Sequence, residues 1–266
     1  DRELVSSAMD KYKMKRFAIV FPNDAYGVEF ANLFWDEVLT RGGQITAAQS
    51  YSNSEKDFSN VISRLVGTYY LDDRSDEYTE VVKDWYAAQK NITSRVIPPN
   101  DLLTPIVDFD GIFIPDGVTA LVQIASMLKS EDVKNVRLLG TNLWNKTTLL
   151  TQGANLVENA LFVDATSSVD KSLQNLSFFK EYQSIYDETP SAFEAQAYDT
   201  GLTLKNLITQ GARTRIALRE ALSHVNNIPG SVGNISITAE REFTRPLTLL
   251  TVQDNKILPA KTSSTY

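Results

Sequence analysis

Phe17-Ala18-Ile19-Val20-Phe21-Pro22-Asn23-Asp24-Ala25-Tyr26-Gly27 runs from an apolar, β-branched and aromatic stretch through a short polar turn. The residues that follow, Val28 to Thr40, carry Phe30, Phe34 and Val38 at helical spacing and stop at Gly42-Gly43. A strand that feeds a helix through a polar turn opens a βα unit. Open α/β sheets place their ligands at the carboxyl ends of strands. A carboxylate, a phenol and a glycine at that place, Asp24, Tyr26 and Gly27, are therefore the first candidates for a recognition loop. The alternative is an ordinary βα turn in which Gly27 sets the entry of the helix.

The same grammar repeats outward from this segment. A helix over Glu3 to Tyr12 places Leu4, Val5, Ala8, Met9 and Tyr12 on one face. A second strand is expected over Gln44 to Tyr51, then a helix starting at Ser54-Glu55-Lys56-Asp57 with Phe58, Val61, Ile62 and Leu65 as its apolar face. Gly111 to Ile114 reads as a third strand ending at Pro115-Asp116-Gly117, with a helix over Val118 to Lys129 behind it. Arg137 to Gly140 is a fourth, followed by Thr141-Asn142-Leu143-Trp144, and Ala160 to Val163 is a fifth, ending at Asp164. Alternation of this kind predicts an α/β fold, a parallel sheet with helices on both faces. Every strand of such a series leaves through the same edge. Tyr26, Asp116, Asn142, Trp144 and Asp164 should then gather along one rim, which is the site that residue order alone supports best. Trp144 reads either as an aromatic wall of that site or as a core residue beneath the loop.

Residues 67 to 108 interrupt the series. Tyr69-Tyr70-Leu71-Asp72-Asp73-Arg74 opens a polar, charged stretch that contains a helical pattern over Tyr78 to Gln89 and leaves through Pro98-Pro99. A connection this long is an elaboration with its own small structure, and its charges read as a solvated face. Beyond Asp164 the texture turns helical, over Leu176 to Tyr186, Ala192 to Thr209 and Thr214 to His224. The tail is β-rich, over Gly233 to Thr238, Leu247 to Gln253 and Ile257 to Leu258, with Asp254-Asn255-Lys256 as a hairpin turn. These shifts divide the chain into an α/β lobe of residues 1–165 plus 239–266, with its insert at 67–108, and a mostly helical part of a second lobe at 166–238.

Composition narrows the chemistry. A chain of 266 residues with 42% hydrophobic and 22% charged residues is that of an ordinary globular protein with a substantial core. A net charge of -7 without a basic patch argues against nucleic acid as a partner. No run has the apolar length of a membrane span, and no secretory leader pattern is visible. Cysteine is absent, which removes disulfides, thiolate metal sites and cysteine nucleophiles together. The single histidine, His224, lies in a short helical pattern and reads as a surface or capping residue. Histidine-built metal sites and Ser-His triads need more than this sequence holds, so no metal or cofactor is expected. Asn91, Asn145, Asn175 and Asn234 open N-x-S/T sequons, a number that an Asn-, Ser- and Thr-rich chain supplies by chance.

Several segments, taken in order, resemble the type I periplasmic binding proteins of the leucine/isoleucine/valine-receptor group. They are Ala25-Tyr26-Gly27, Glu55-Lys56-Asp57-Phe58-Ser59 with Ile62 to Leu65, and Ile114-Pro115-Asp116. After them come Gly140-Thr141-Asn142, Ala197-Tyr198-Asp199 and Pro229-Gly230-Ser231-Val232-Gly233. The resemblance implies a two-lobed receptor that closes on a small ligand, with the first half of the front lobe absent from this chain. Within it, Asp199 reads as a hinge or helix-packing residue. The receptors for amino acids hold the ligand's ammonium with an acidic residue after the fourth strand. Asn142 stands at that position here, and a tyrosine usual after the third strand is replaced around Gly117-Val118.

The segments Asp108 to Asp116, Gly140 to Asn145 and Ala160 to Asp164, together with the long insert, are similar to the lipoprotein activators of penicillin-binding proteins. Two functions follow as expectations. One is an extracytoplasmic, non-catalytic solute-binding protein that holds an unidentified small molecule in an interlobe cleft, with Asp24, Tyr26, Gly27, Asp116, Asn142, Trp144 and Asp164 around it and a transporter as its reader. The other is an envelope lipoprotein, periplasmic or anchored to the outer membrane on its periplasmic side, that binds a protein such as a peptidoglycan synthase. A hydrolase built on Asp24 and Asp116 would need the two carboxylates at a set separation across a cleft. Nothing in the residue pattern fixes that separation.

Overall fold

The structure is a computed structural model describing residues 2–89, 97–99, 102–165, 177–231, 233–245 and 247–260. The five expected strands form as β1 (Arg16–Pro22), β2 (Gln44–Tyr51), β3 (Gly111–Ile114), β4 (Arg137–Gly140) and β5 (Leu161–Asp164). They are parallel, in the order β2-β1-β3-β4-β5. A small three-stranded antiparallel sheet follows later in the chain, built from β6 (Ile228–Gly230), β7 (Gly233–Ile237) and β8 (Phe243–Thr244). The chain then returns to the first sheet with β9 (Thr248–Gln253), antiparallel to β5, and β10 (Lys256–Pro259), which completes seven strands. Asp254 and Asn255 both adopt positive φ, 50° and 56°, between the paired ends Gln253 and Lys256. Two such residues in succession make the two-residue turn whose twist suits a hairpin.

The inner strands β1, β3, β4 and β5 are short apolar runs because both faces of the sheet are covered there. Successive side chains point to opposite faces, and the core divides by that rule. Ala18, Val20, Ile112, Ile114, Leu138, Phe162, Leu250 and Val252 face one side, and Phe17, Ile19, Phe113, Leu139, Leu161, Val163 and Leu249 face the other. The second set is covered by Leu4, Val5 and Ala8 of α1 (Arg2–Asp10) and by Ala31, Phe34 and Val38 of α2 (Ala25–Thr40). Phe34 stacks on Phe113 at 4.2 Å and meets Phe17 edge-on at 5.6 Å.

The first set is covered by α3 (Ser59–Leu65), and, past the insert helix α4 (Ser75–Ala88), by α5 (Val118–Ser130) and α6 (Thr147–Gly153). Helix α3 begins later than Ser54-Glu55-Lys56-Asp57 suggested. Those side chains hydrogen-bond their own neighbours instead: Ser54 N–H donates to Ser52 Oγ, Lys56 and Asp57 N–H to Glu55 Oε1, and Ser59 N–H to Asp57 Oδ1. Such local bonds compete with helical ones and produce turns.

Helix α4 buries no residue and lies outside both sheets. One side chain ties the insert shut: Arg74 donates to the Gly67 carbonyl at 3.1 Å and to the Thr104 carbonyl at 3.0 Å, and pairs with Glu77. The last helices are α7 (Ser177–Tyr186), α8 (Ala192–Thr209) and α9 (Arg215–Ser223). Phe178, Phe179 and Ala195 form a small separate core between the first two. Helix α8 opens with a capping box in which Ser191 and Glu194 satisfy each other's backbone N–H groups. His224 is the C-terminal cap of α9, exposed, as its sequence position suggested.

Candidate functional site

The carboxyl ends of the parallel strands deliver the expected residues to one edge of the sheet. Their side chains do not all face solvent there. Asp24 caps α2, its Oδ1 accepting from Gly27 N–H at 2.7 Å and its Oδ2 from the Asn53 side-chain amide at 3.1 Å. Gly27 is buried, and a Cβ there would come within 2.2 Å of the Pro22 carbonyl oxygen. The strand end and the helix approach so closely that only glycine fits. Both residues therefore shape the turn. Tyr26 stacks on Phe30 at 4.3 Å and donates its hydroxyl to Thr141 Oγ1 at 2.9 Å, bridging the ends of β1 and β4. Burial pushes the Tyr26 phenol above its ordinary pKa, with the charges of Asp116 and Asp24 adding to the rise and the Thr141 bond opposing it.

Asp116 is the centre of the rim. Its Oδ2 accepts the Tyr51 hydroxyl at 2.6 Å and its Oδ1 accepts Gly117 N–H at 2.5 Å. Burial, the bond to Asp116 and the charges of Asp116 and Asp24 all push the Tyr51 phenol far upward, so it remains a donor throughout the working range. Among the described residues no cation pairs with Asp116. The carboxylate borders a depression of about 470 Å³ walled by Tyr51, Asn53, Glu55, Phe58, Thr119, Lys146 and Gln152. That volume lies within the range of small-molecule pockets.

Trp144 is corrected to a core residue. It is fully buried, its ring lies against Gly140, where a Cβ would be 2.3 Å from the indole, and its Nε1–H donates to the backbone carbonyl of Asp116 at 2.9 Å. It offers no surface to a ligand. Asn142 is exposed and borders a second, smaller depression of about 230 Å³ with Phe30, Thr141, Val163, Asp164 and Leu247. Asp164 is buried, and its Oδ2 accepts from the side-chain amide of Asn145 at 2.7 Å. The rim thus carries two shallow depressions. Asp116 belongs to the larger, Asn142 and Asp164 to the smaller.

Tyr51, Asn53 and Lys146 were missed by sequence reasoning. The strand-end rule that found Asp116 applies equally to β2, whose last residue is Tyr51, so a signal for the first two was present. Lys146 follows no strand directly and had none. Of the sequons, Asn145 and Asn234 already have their side chains engaged, with Asp164 and Asn227, while Asn91 and Asn175 lie outside the described residues. Among the described residues no group of acidic, histidine or cysteine side chains is arranged to hold a metal, and no helix is long and apolar enough to cross a membrane.

Comparison with solved structures identifies the architecture as the type I periplasmic binding protein fold. A leucine-binding protein from Thermotoga maritima matches with a TM-score of 0.66 and 16% identity, over 98% of this chain and 63% of that one. A branched-chain amino acid transporter substrate-binding protein from Streptococcus pneumoniae, in complex with isoleucine, matches at 0.61 and 17%, over 96% and 62%. A solute-binding protein from R. palustris, in complex with benzoate, matches at 0.60 and 13%, over 97% and 61%. The chain therefore spans less than two thirds of the length of each of these. No family model matches the sequence, and no curated protein matches it. These similarities run to solute receptors and do not show the likeness to penicillin-binding protein activators.

Proposed function

We propose that this chain belongs to an extracytoplasmic, non-catalytic solute-binding protein that seats a small polar molecule on the rim beside Asp116. The observation that carries this reading is the Asp116 carboxylate itself. It is held in place by a phenol and a backbone amide, lacks a cationic partner among the described residues, and borders a depression of ligand size. A held but uncompensated carboxylate at a strand-end rim supports recognition of a donor group on a solute. Lys146 and Asn53 on the same wall supply a cation and an amide for its other end. The neighbours of like fold whose names print a ligand bind small molecules, leucine, isoleucine and benzoate, which supports a receptor rather than an enzyme. The use of both Asp24 oxygens in holding the turn also speaks against that residue as half of a hydrolytic pair.

Asn142 offers a neutral, exposed amide where amino-acid receptors of this resemblance place an acid, and the Asp116 carboxylate already accepts from the Tyr51 hydroxyl and Gly117 N–H, so micromolar binding of leucine, isoleucine or valine is not expected. The test is a thermal-shift panel of amino acids, organic acids and sugars, followed by calorimetric titration of each stabilising solute. Asp116→Asn should weaken binding at least 10-fold, because a hydrogen bond to a charged group contributes about 1.5–3 kcal/mol. Binding indifferent to that change, or a panel without a binder, overturns the rim site. A micromolar isotherm for any branched-chain amino acid overturns the ligand class.

A further inference from the structure

We infer that the groove between α9 and the β7–β8 hairpin is a second binding site, for a small monocarboxylate with an apolar body. It is independent of the rim and of the reading given to it. The groove encloses about 540 Å³ and is lined by Ile216, Leu222, Ile237 and Phe243 with Arg219, Glu220 and Arg241. Two of its apolar side chains lie open to solvent, Ile216 at 73% exposed and Phe243 at 39%, while Leu222 and Ile237 are half-buried. Small-molecule pockets combine such a floor with a few placed polar groups.

The polar groups here define the charge of the occupant. Among the described residues neither Arg219 nor Arg241 takes part in an ion pair or a side-chain hydrogen bond. Two guanidinium groups against the single carboxylate of Glu220 leave the lining one positive charge in excess, in a chain whose net charge is -7. One carboxylate neutralises that excess, and guanidinium binds carboxylate through paired N–H donors. The apolar body of the molecule then covers Ile216 and Phe243 and removes them from water. A dianion would leave charge uncompensated, and a neutral hydrocarbon would leave both arginines unused.

The probe is 3-phenylpropionate, with 3-phenylpropionamide as its uncharged counterpart, titrated into the 15N-labelled chain and followed by amide chemical shifts. Shifts should appear in Arg215–Ser223 and in the β7–β8 hairpin, saturate at millimolar concentration or below, and leave the Gly117 amide unmoved. The amide should bind at least 5-fold more weakly, and Arg219→Gln combined with Arg241→Gln should weaken the carboxylate at least 10-fold. Phe243→Ala should weaken the carboxylate and the amide alike. No shift in α9, shifts centred on the rim, or a carboxylate affinity unchanged in the double variant would each overturn the inference. Because these are exposed side chains, the spectrum of the free variants reports directly that they remain folded.

Discussion

The indole N–H of Trp144 donates to the backbone carbonyl of Asp116 at 2.9 Å, across the ends of two adjacent strands. A fully buried tryptophan thus fixes the backbone of the residue whose carboxylate borders the rim depression. Two chemical conditions make the contact. Gly140 has no side chain in the way, and the indole has a single donor that must be satisfied once buried.

Trp144→Phe is expected to lower stability by about 1–3 kcal/mol, the cost of leaving a buried acceptor unpaired. Gly140→Ala is expected to cost a similar amount by a different route, since its methyl would enter the space the ring occupies. Urea unfolding should show a lower midpoint for both with an unchanged slope. In the phenylalanine variant the Gly117 amide resonance should also move, because the Asp116 backbone it follows is no longer pinned.

At the opposite end of the sheet, Asp110 accepts the backbone N–H groups of Lys15 at 2.8 Å and Arg16 at 2.9 Å, stitching the start of β1 to the residue before β3. Partial burial alone would raise its pKa, but these two bonds and the Arg16 guanidinium hold it below the ordinary value of 3.8. A carboxyl with a depressed folded-state pKa contributes stability above its unfolded value and loses it as pH falls through the folded one. Asp110→Asn should therefore cost about 1 kcal/mol at neutral pH, a modest figure because the site is partly screened. Unfolding curves of the parent and the variant should converge as the pH is brought below 3.8.

Much of the main sheet was legible because a strand buried on both faces is an uninterrupted apolar run. Gly111–Ile114 and Arg137–Gly140 form strands with the bounds that their residues suggest, as does the edge strand Gln44–Tyr51, which mixes polar and apolar residues. The insertion of a rim between strands and helices was legible for the same reason, since a parallel series has only one carboxyl edge. What the sequence does not carry is direction and partner. Tyr51 turns to Asp116, Asp24 turns back on its own helix, and Trp144 turns inward because of the space left by Gly140. Each depends on a residue distant in the chain or on packing that no periodicity encodes. The short strands Ile228–Gly230 and Phe243–Thr244 were hidden because two or three residues, one of them proline, show no alternation.

The insert should be dispensable to folding. None of α4 is buried, and Arg74 closes the segment onto Gly67 and Thr104 from within. Replacing residues 70–102 by a short glycine-serine linker keeps the buried Leu103 and the bond from Ile106 N–H to the Val66 carbonyl. The shortened chain is expected to unfold in one cooperative step with a midpoint near that of the parent. Loss of cooperativity would place the insert within the core.

Asp199 and Arg245 form the most deeply buried ion pair among the described residues, 3.3 Å apart with their side chains 2% and 12% exposed. Asp199 also accepts Ser231 N–H at 2.5 Å, so one carboxylate joins α8, the β6–β7 turn and the segment that carries the chain back from the small sheet to β9. Removing one partner leaves the other as an uncompensated buried charge, which costs about 3–5 kcal/mol, whereas replacing both by apolar residues of similar size is often close to neutral. Arg245→Met and Asp199→Leu should therefore each be strongly destabilising. The double variant should be less destabilised than the sum of the two, with a coupling of about 1–3 kcal/mol. Urea denaturation of the four proteins gives this directly. If Arg245→Met alone costs less than about 1 kcal/mol, water or a rearranged side chain satisfies Asp199 without it, and the pair is not what secures the crossing between the two sheets.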